Sequence, residues 1–511
     1  MSFKCGSAET QHVDYSDRES HRKSAINVQL IFACTVFGAA SFLFGFDDKI
    51  ISPVAALPDF VEKFQGPNPV TGKYVLTARN QNLVFSLPLV GSVIGGLLAS
   101  PMNFHLGRKW PLIIAYFVSV GGGLLQVFAP NLGAFVGGRS INSVALGIIN
   151  ATAPLYISEV VVPASIRGRC VSSMNILNLT AGVVGTAVVF RTEKIHGNLS
   201  YQIPLAVQCA LPVLLLFLTM SLPESPQWLT GKGKMEDARH SLRKLRGSSN
   251  DEVEDELRLM RLSEESERQL HAETKFWHIF QRQYLKRTLT AGSFFSLNQI
   301  SGIILSTTYT TVFLTALGIA DAFSLTIIAS CCTLAGTIAA PFVIDRAGRR
   351  PTAFVGMGIL FVIDAVAGGL AFYRGNKNAT MTIAALSFVF NFFWASSFFS
   401  LSNLMPSEMA TPKLRHHTMA YTIACAQTTA VVTTLVVPQL TSADAANLGA
   451  KTYLIFAGCM AAIIVFFYFF MPETRGRTFA EIDEMYAAKI PMWKWRSYQT
   501  SYELRSRASK G

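Results

Sequence analysis

The sequence predicts an all-α membrane protein with twelve transmembrane helices in two pseudo-symmetric bundles of six. Half of its 511 residues are hydrophobic and only 15% are charged, whereas soluble domains carry roughly 25% charged residues. The apolar residues are gathered into long runs, each near the roughly 20 residues that a helix needs to cross a bilayer core. Two short polar motifs also occur twice each, and the number of residues between the two copies is the same for both motifs. This repetition indicates two homologous halves.

Twelve apolar runs are candidates for the membrane spans. They cover 26–46, 83–102, 111–129, 133–154, 171–190, 203–222, 290–316, 322–344, 352–373, 380–403, 418–438 and 451–471. Six runs precede the charged middle of the chain and six follow it. We therefore expect a first bundle over 26–222, a cytoplasmic helical linker over 223–287 and a second bundle over 288–471, with cytoplasmic tails at 1–25 and 472–511.

The segments outside the bundles are polar. Residues 1–24 carry charges ahead of the first apolar run, whereas a signal peptide would begin its apolar stretch almost at once. In the linker, apolar residues stand at helical spacing between charges over 234–246 and again over 254–268. A calmodulin-type target helix has this pattern too, but we favour linker helices that support the inner gate.

Charge placement predicts the topology. With both termini in the cytoplasm, most of the 44 lysines and arginines fall on the cytoplasmic side, as is usual for membrane proteins. The net charge of +12 is then a topology signal, and no basic face with base-reading groups indicates a nucleic-acid partner. Asn198 and Asn378 begin sequons in loops assigned to the outside, so both are candidate glycosylation sites.

The chain carries no sequence signature of an enzyme. We find no glycine-rich nucleotide loop, no nucleophile elbow and no cluster of metal-ligand residues. The eight cysteines are scattered, mostly within apolar segments, where they serve as small packing residues. We therefore expect no catalytic residue, no cofactor and no metal.

Acids and arginines recur at the cytoplasmic ends of the helices in both halves. Such residues form forked ion pairs and interact favourably with helix dipoles. We expect these pairs to hold each half together while the inner mouth is closed and to break when it opens; the alternative is that they only fix topology and folding. The candidate gate residues are Arg108, Glu159, Arg167 and Glu224 in the first half, and Asp345, Arg349, Glu408, Arg415 and Glu473 in the second.

Five motifs together resemble the sugar porter family of the major facilitator superfamily. They are Gly107-Arg108-Lys109, Pro154-Leu-Tyr-Ile-Ser-Glu159, Pro223-Glu224-Ser225, Asp345-Arg346-Ala347-Gly348-Arg349-Arg350 and Pro472-Glu473-Thr474. The resemblance covers about residues 26–480. It implies the major facilitator fold and alternating-access transport of a sugar or sugar-like molecule by a monomer in a lipid bilayer, with the plasma membrane as the expected location. Phe104 and His105 depart from the family, which has Asp-Arg before the first Gly-Arg.

The resemblance also implies a proton-coupling pair. Asp47 follows Gly45-Phe46 near the end of the first span, and Arg139 stands in the fourth. Ionisable groups within a membrane are costly and are functional candidates by default. In proton-coupled members of the family an acid at the position of Asp47 faces an arginine at that of Arg139; the alternative is a structural ion pair. Lys49 stands where the family usually has glycine, and we expect it to pair locally with Asp48 or Asp47.

The substrate site is where the resemblance is weakest. Sugars are bound by amide side chains and by aromatic faces. The candidate contacts are Asn175, Asn298, Gln299, Gln427 and Trp394. Each amide has an interhelical hydrogen bond as its alternative role. Ile304 replaces an asparagine of the family, so the pocket is less polar than a typical hexose pocket. A disaccharide, a polyol, a cyclic sugar acid and a glycosylated metabolite all remain candidate substrates.

The sequence leaves three candidate functions. The first is uptake of a sugar, for which we favour proton symport over uniport. Export of a small metabolite by proton antiport is disfavoured because the fifth span lacks the proline of a drug-antiporter motif near Gly182. A non-transporting nutrient sensor is disfavoured because the C-terminal tail, from residue 472 to the end, is short.

Overall fold

The computed structural model describes residues 28–160, 164–246, 253–262, 265, 276–319, 321–373, 376–411 and 414–501, and of residues 164–172 it describes the backbone alone. Within these ranges the regular structure is helical and contains no β-strand. The predicted N-terminal tail lies outside the described residues. Eleven helices among the described residues are long and apolar enough to cross a membrane.

The first half contains six long helices. They are α1 Val28–Ala56, α2 Ala78–Leu106, α3 Lys109–Val127, α4 Leu132–Val160, α5 Ala164–Thr192 and α6 Leu199–Met220. Each contains one of the predicted spans in whole or in large part, and α1 continues well beyond the predicted end at residue 46. The extension contains Pro53, and a short helix, Pro58–Phe64, follows the end of α1.

The second half also follows the predicted runs, with two interrupted helices. Its long helices are α8 Ala322–Ala347, α9 Arg349–Leu370, α10 Lys377–Phe393, α11 Arg415–Thr441 and α12 Thr452–Phe470. The seventh predicted span is broken into Arg282–Asn298, which we call α7a, and Thr310–Ala316, which we call α7b. Helix α10 passes through a π-helical turn, Trp394–Phe399, and continues as Ser400–Met409.

Glycine explains the break in the seventh span. The segment between α7a and α7b starts with a π-helical turn, Gln299–Ile303, in which Gly302 has φ 88°. This backbone conformation favours glycine because a Cβ would clash locally. A Cβ at Gly302 would also lie 3.1 Å from the Cβ of Phe456 on α12. The turn therefore depends on glycine twice, for its backbone angle and for its packing against α12.

Close helix packing builds the first half. Helices α2 and α4 lie against each other along their length, as do α1 and α5. Gly95 of α2 allows this, since a Cβ there would collide with the backbone carbonyl of Val144 on α4. Small residues at helix crossings let backbones approach closely in a membrane, where van der Waals packing drives association.

Short helices lie outside the spans. The linker contains Pro226–Gly231 and Met235–Arg246, with Leu242 and Leu245 buried. Helical backbone also covers 253–262, which overlaps the second predicted linker helix at 254–268. Most of the remainder of that predicted helix lies outside the described residues. After α12 the chain forms Phe479–Ala487, which is closed by a capping box between Thr478 and Glu481.

The two halves touch at one end of the helices. Helix α5 packs against α8, α2 against α11, and α7b against α1. Among the described residues, hydrogen bonds cross between the halves from Ala78 N to Asp444 Oδ2 at 2.9 Å, from Gln81 Nε2 to Ser442 Oγ at 3.2 Å, and from Thr311 N to Ser52 Oγ at 3.2 Å. All three lie at the starts of α2 and α7b or the ends of α1 and α11. We call this end the closed face, and the end that carries the Arg–Glu motifs the motif face.

Candidate functional site

Asp47 and Arg139 meet inside the first half. Both side chains are buried, and Arg139 Nη1 lies 3.2 Å from Asp47 Oδ1. The same oxygen accepts hydrogen bonds from Asn142 Nδ2 at 2.9 Å and Gln208 Nε2 at 2.5 Å. Since Arg139 and Asn142 are three residues apart, both project from one face of α4. The carboxylate is therefore held by one cation and two amides from α4 and α6.

Further polar groups orient these donors. Arg139 Nε donates to the carbonyl oxygen of Val84 on α2 at 3.2 Å, and Ser119 Oγ of α3 donates to Asn142 Oδ1 at 2.6 Å. Five helices thus contribute to one buried network. Removing one partner of such a buried pair is costly because it leaves the other charge uncompensated.

Sequence reasoning did not identify Asn142 or Gln208. The spacing of Asn142 from Arg139 was a usable signal, since i and i+3 share a helix face. Gln208 stands in an apolar stretch of α6 without a motif around it. Its contact with Asp47 depends on how α6 packs against α1, which the sequence pattern does not specify.

Lys49 pairs with Asp48, one of its two predicted local partners. Lys49 Nζ lies 3.0 Å from Asp48 Oδ2, and the two side chains are 18% and 40% exposed. The pair is separate from the Asp47 network, in which Arg139 supplies the cation.

The predicted substrate contacts differ in their surroundings. Asn298 is fully buried and donates through Nδ2 to Ser402 Oγ of α10 at 3.0 Å, so its amide joins two helices. Gln299 lies in the π-helical turn and is half-buried, as is Gln427 on α11, whereas Asn175 on α5 is exposed. In the described part of the chain, no hydrogen bond or ring contact joins the five candidates directly to one another.

Trp394, the predicted aromatic contact, opens the π-helical turn of α10. Its ring stacks on Phe399 with 4.6 Å between the ring centroids. The indole nitrogen Nε1 is buried and has no acceptor among the described residues. A buried donor without an acceptor is unfavourable, so this nitrogen lacks the partner that a buried N–H group needs.

The Arg–Glu cluster of the first half is a forked ion pair with a helix cap. Arg108 Nε and Nη2 donate to both oxygens of Glu159 at distances from 2.6 to 3.0 Å, and Ser225 Oγ donates to the same carboxylate at 2.5 Å. Glu224 accepts from the backbone N–H groups of Arg108 and Lys109 at the start of α3. Burial raises the pKa of Glu224, although backbone N–H donors oppose the shift.

The second half repeats this geometry. Arg349 donates through Nε and Nη2 to Glu408 at 2.8 to 3.3 Å, and Thr474 Oγ1 donates to Glu408 at 2.5 Å. Glu473 accepts from the backbone N–H groups of Arg349 and Arg350, both at 3.0 Å. Each cluster joins helices of one half, since Arg108 and Glu159 both belong to the first half and Arg349 and Glu408 both belong to the second.

Three remaining gate candidates have different positions. Asp345 lies 3.6 Å from Arg349 at the end of α8 and is largely exposed. Arg415 begins α11 and is exposed. The side chain of Arg167 lies outside the described residues.

The two sequon asparagines are exposed. Asn198 directly precedes α6 and accepts a hydrogen bond from Tyr201 Oη at 3.1 Å, and Asn378 stands in the first turn of α10. Both lie at the helix ends of the closed face, away from the Arg–Glu clusters.

A cavity of about 380 Å³ lies at the closed face. It is lined by residues of 68–81, by α7b and its flanks, by the α9–α10 connection and by residues 441–450. None of the five predicted substrate contacts lines it. The cavity is therefore distinct from the predicted substrate site.

The paired halves, the inter-half contacts at one face and the buried charges between helices define a class of protein. The chain is a multi-pass membrane transporter that works by alternating access. It belongs to the sugar (and other) transporter family, whose profile matches residues 33–486.

Two curated relatives illustrate the family. The major facilitator-type transporter ecdD of Aspergillus rugulosus is 32% identical over 89% of this chain and 87% of its own length. The general alpha-glucoside permease of Saccharomyces cerevisiae is 28% identical over 89% of this chain and 74% of its own length. Membership of this family makes the chain a transporter and not an enzyme, which confirms that prediction.

Solved structures show the same fold. The inward open conformation of the xylose transporter XylE from E. coli aligns with a TM-score of 0.73 at 20% identity, over 89% of this chain and 99% of that one. The proton:xylose symporter XylE bound to 6-bromo-6-deoxy-D-glucose aligns with a TM-score of 0.67 at 22% identity, over 90% and 99%. The predicted twelve-helix major facilitator fold is confirmed.

Proposed function

We propose that the protein is a symporter that moves a sugar or sugar-like molecule together with a proton. The observation that carries this proposal is the buried Asp47 carboxylate, held by Arg139 and two amides between α1, α4 and α6. Relatives named as an alpha-glucoside permease and a proton:xylose symporter support the same substrate class and coupling.

The proposed coupling works through α1. Protonation of Asp47 removes the charge that Arg139 compensates and weakens the attachment of α1 to α4. The same helix carries Ser52, which accepts the Thr311 N–H of α7b across the boundary between the halves. A proton on Asp47 thereby biases an inter-half contact about one and a half helical turns away. Coupling requires that the affinity of Asp47 for a proton differ between the two access states.

The substrate is proposed to contact Asn175, Gln299, Gln427 and Trp394. Gln299 and Trp394 stand in the two π-helical turns, which re-aim side chains and are frequent at functional sites. The buried indole N–H of Trp394 supplies a donor that the protein leaves without an acceptor among its described residues. Asn298 has a supporting role here, since its amide binds Ser402.

The Arg–Glu clusters are proposed to be gates within each half. By fixing the starts of α3 and α9 to the ends of α4 and α10, they present the motif face of each bundle as one rigid surface. The bundles are proposed to be 26–222 and 288–471, with the linker 223–287 and the tails 1–25 and 472–511 in the cytoplasm.

The proposed setting is the plasma membrane. With the motif face in the cytoplasm, Asn198 and Asn378 lie outside, where both are exposed and open to glycosylation. The chain is proposed to act as a monomer in the lipid bilayer. Glycosidase treatment that leaves the electrophoretic mobility of the expressed protein unchanged would contradict the two glycosylation sites.

The deciding experiment is uptake of labelled glucose and maltose by the purified protein in proteoliposomes, with and without an inward proton gradient. Accumulation above the outside concentration only with the gradient supports symport. Equal equilibration in both conditions indicates a uniporter and makes the Asp47–Arg139 pair structural. Efflux driven by an inward proton gradient would favour antiport instead.

A further inference from the structure

A second buried carboxyl group lies in the second half of the protein. Asp364 of α9 is fully buried, and neither of its side-chain oxygens has a hydrogen-bond partner among the described residues. A carboxylate that is ionised and buried without a partner is very unfavourable, and such a group is neutralised instead. The Asp364 carboxyl therefore carries a proton in the state that the structure shows.

The surroundings of Asp364 differ from those of Asp47, whose charge Arg139 compensates. The titratable groups that interact electrostatically with Asp364 are Tyr453 and Cys459 of α12, and both are neutral when they hold their protons. Arg349, which begins α9, is about 22 Å away along the helix. The charged residues of the other elements packed against α9 stand at the ends of those elements: Lys377, Lys451, Asp345, Arg346 and Glu408.

One face of α9 leads from Asp364 to the closed-face cavity. Ala367 and Ala371 follow Asp364 by three and seven residues, so the three positions share a face of the helix. Ala371 lines the cavity and is about 10 Å along the helix from Asp364. The residues between them on this face are small, since Gly368 lies beside Ala367. A short row of small residues therefore separates the carboxyl from the cavity.

The segment between α7a and α7b connects this region to the contact between the halves. Tyr453 Oη lies 3.5 Å from Ser306 Oγ of that segment, and Asn391 Nδ2 of α10 donates to the Ser306 carbonyl oxygen at 3.1 Å. Further along, the N–H of Thr311 in α7b donates to Ser52 of the first half. A movement of α7b away from α1 would thus disturb the polar contacts beside Asp364 and let water from the cavity approach it.

We propose that Asp364 is a second proton-binding site, separate from Asp47, and that it exchanges its proton with the solution at the closed face. Closure of that face buries the carboxyl without a partner, so closure requires the proton. An ionised Asp364 favours the state in which the closed face is open and the carboxyl is hydrated. The site makes closure sensitive to pH, and it would do so in a uniporter as well as in a symporter.

The test measures how fast a maleimide labels a cysteine placed at Ala450, which lines the closed-face cavity and is buried in the closed state. The full chain is held in lipid nanodiscs with its native cysteines replaced by alanine. Rates are divided by those of a cysteine at the exposed position Val70, which removes the pH dependence of the thiol itself. Raising the pH by two units should increase the labelling rate about tenfold or more, because the protonated fraction of a carboxyl falls up to about tenfold per unit.

Variants of Asp364 assign this pH dependence. Asp364→Asn and the smaller Asp364→Ser should both label slowly at every pH, because a neutral side chain needs no proton before closure. Asp364→Glu keeps a titrating group and should keep the pH dependence.

Two further variants separate Asp364 from other carboxyl groups. Asp47→Asn should keep the pH dependence, because the coupling pair lies in the other half. Asp444→Asn should keep it too: protonation of Asp444 would weaken its bond to Ala78 N–H and open the face at low pH, which is the opposite direction.

Three results overturn the proposal. Labelling of the wild type that does not change with pH would make Asp364 a permanently protonated packing residue. A pH dependence that survives in Asp364→Asn and Asp364→Ser, or one that disappears in Asp47→Asn, would assign the effect to another group. Because the assay needs neither substrate nor gradient, failure of the proposed symport would not change its outcome.

Discussion

Replacing Asp47 with asparagine is the sharpest test of proton coupling. The substitution keeps the size of the side chain and removes its charge and its titration. An inward gradient of two pH units provides about 2.7 kcal/mol per proton, since each unit is worth about 1.36 kcal/mol. A one-to-one symporter can then accumulate substrate up to about 100-fold. Asp47→Asn should equilibrate substrate, with a ratio of one, while exchange across the membrane continues.

The structure also predicts what the variant does to stability. Asp47 Oδ1 accepts from Arg139, Asn142 and Gln208. An asparagine oxygen can still accept from the two amides but leaves the buried Arg139 without its counter-ion. Breaking a buried pair on one side costs about 3–5 kcal/mol. The variant should therefore unfold at lower temperature in detergent, and Asp47→Asn/Arg139→Gln should recover part of the loss.

The assay pairs gradient-driven accumulation with counterflow in the same proteoliposomes. Asp237→Asn, a change at an exposed linker carboxylate, serves as the control and should behave as the wild type. If Asp47→Asn still accumulates substrate against its gradient, the carboxylate has no part in coupling. If counterflow is lost together with accumulation in a variant that folds, the side chain is needed for transport itself and the coupling argument is wrong.

Three further predictions concern the Arg–Glu clusters, the packing of the helices and the cap of the C-terminal helix. Glu159→Gln or Glu408→Gln should favour the state in which the motif face is open to solvent. A several-fold rise in the labelling of a cysteine placed at that face would show this, whereas unchanged labelling in both variants would count against a gate. Gly95→Leu should abolish folded protein because its side chain collides with the α4 backbone, whereas Gly96→Leu, with open space around it, should be tolerated. Thr478→Ala should lower the stability of the C-terminal helix by about 1 kcal/mol, seen as faster proteolysis of the tail, and unchanged proteolysis would show that the capping box contributes little.

The proximity of Asp47 and Arg139 was predictable because the resemblance to the sugar porters implied it. Arg139 stands in a predicted span and Asp47 directly follows one, and burying either charge alone within a membrane would be costly. Gln208 was not predictable, because a glutamine in an apolar helix has several energetically similar partners. Only the packing of α6 on α1 selects the contact with Asp47.

The surroundings of the proposed substrate contacts were harder to predict, because helical periodicity fails at the π-helical turns. A π-helical turn adds a residue within a helix, so the 3.6-residue period no longer assigns a side chain to a face. Asn298 and Gln299 are adjacent at such a turn: one is fully buried against Ser402 and the other is half-buried. Trp394 opens the second turn. The Arg–Glu clusters were simpler to predict, since their acids and arginines lie at helix ends that the sequence motifs mark.

The energy scale of the inter-half contacts fits a proton-driven switch. The hydrogen bonds donated by Ala78, Gln81 and Thr311 hold the halves together at the closed face, and a typical hydrogen bond contributes about 0.5–1.5 kcal/mol net. Together they favour this state by about 1.5–4.5 kcal/mol, before the apolar contacts between Phe85 and Tyr309 are counted. A proton that crosses two pH units releases about 2.7 kcal/mol, which lies in the same range. Because Ser52 and Asp47 share α1, the helix that is proposed to bind the proton also carries one of the three bonds. The proposed coupling therefore needs no long pathway, since a small change in how α1 packs against α4 would alter a contact between the halves.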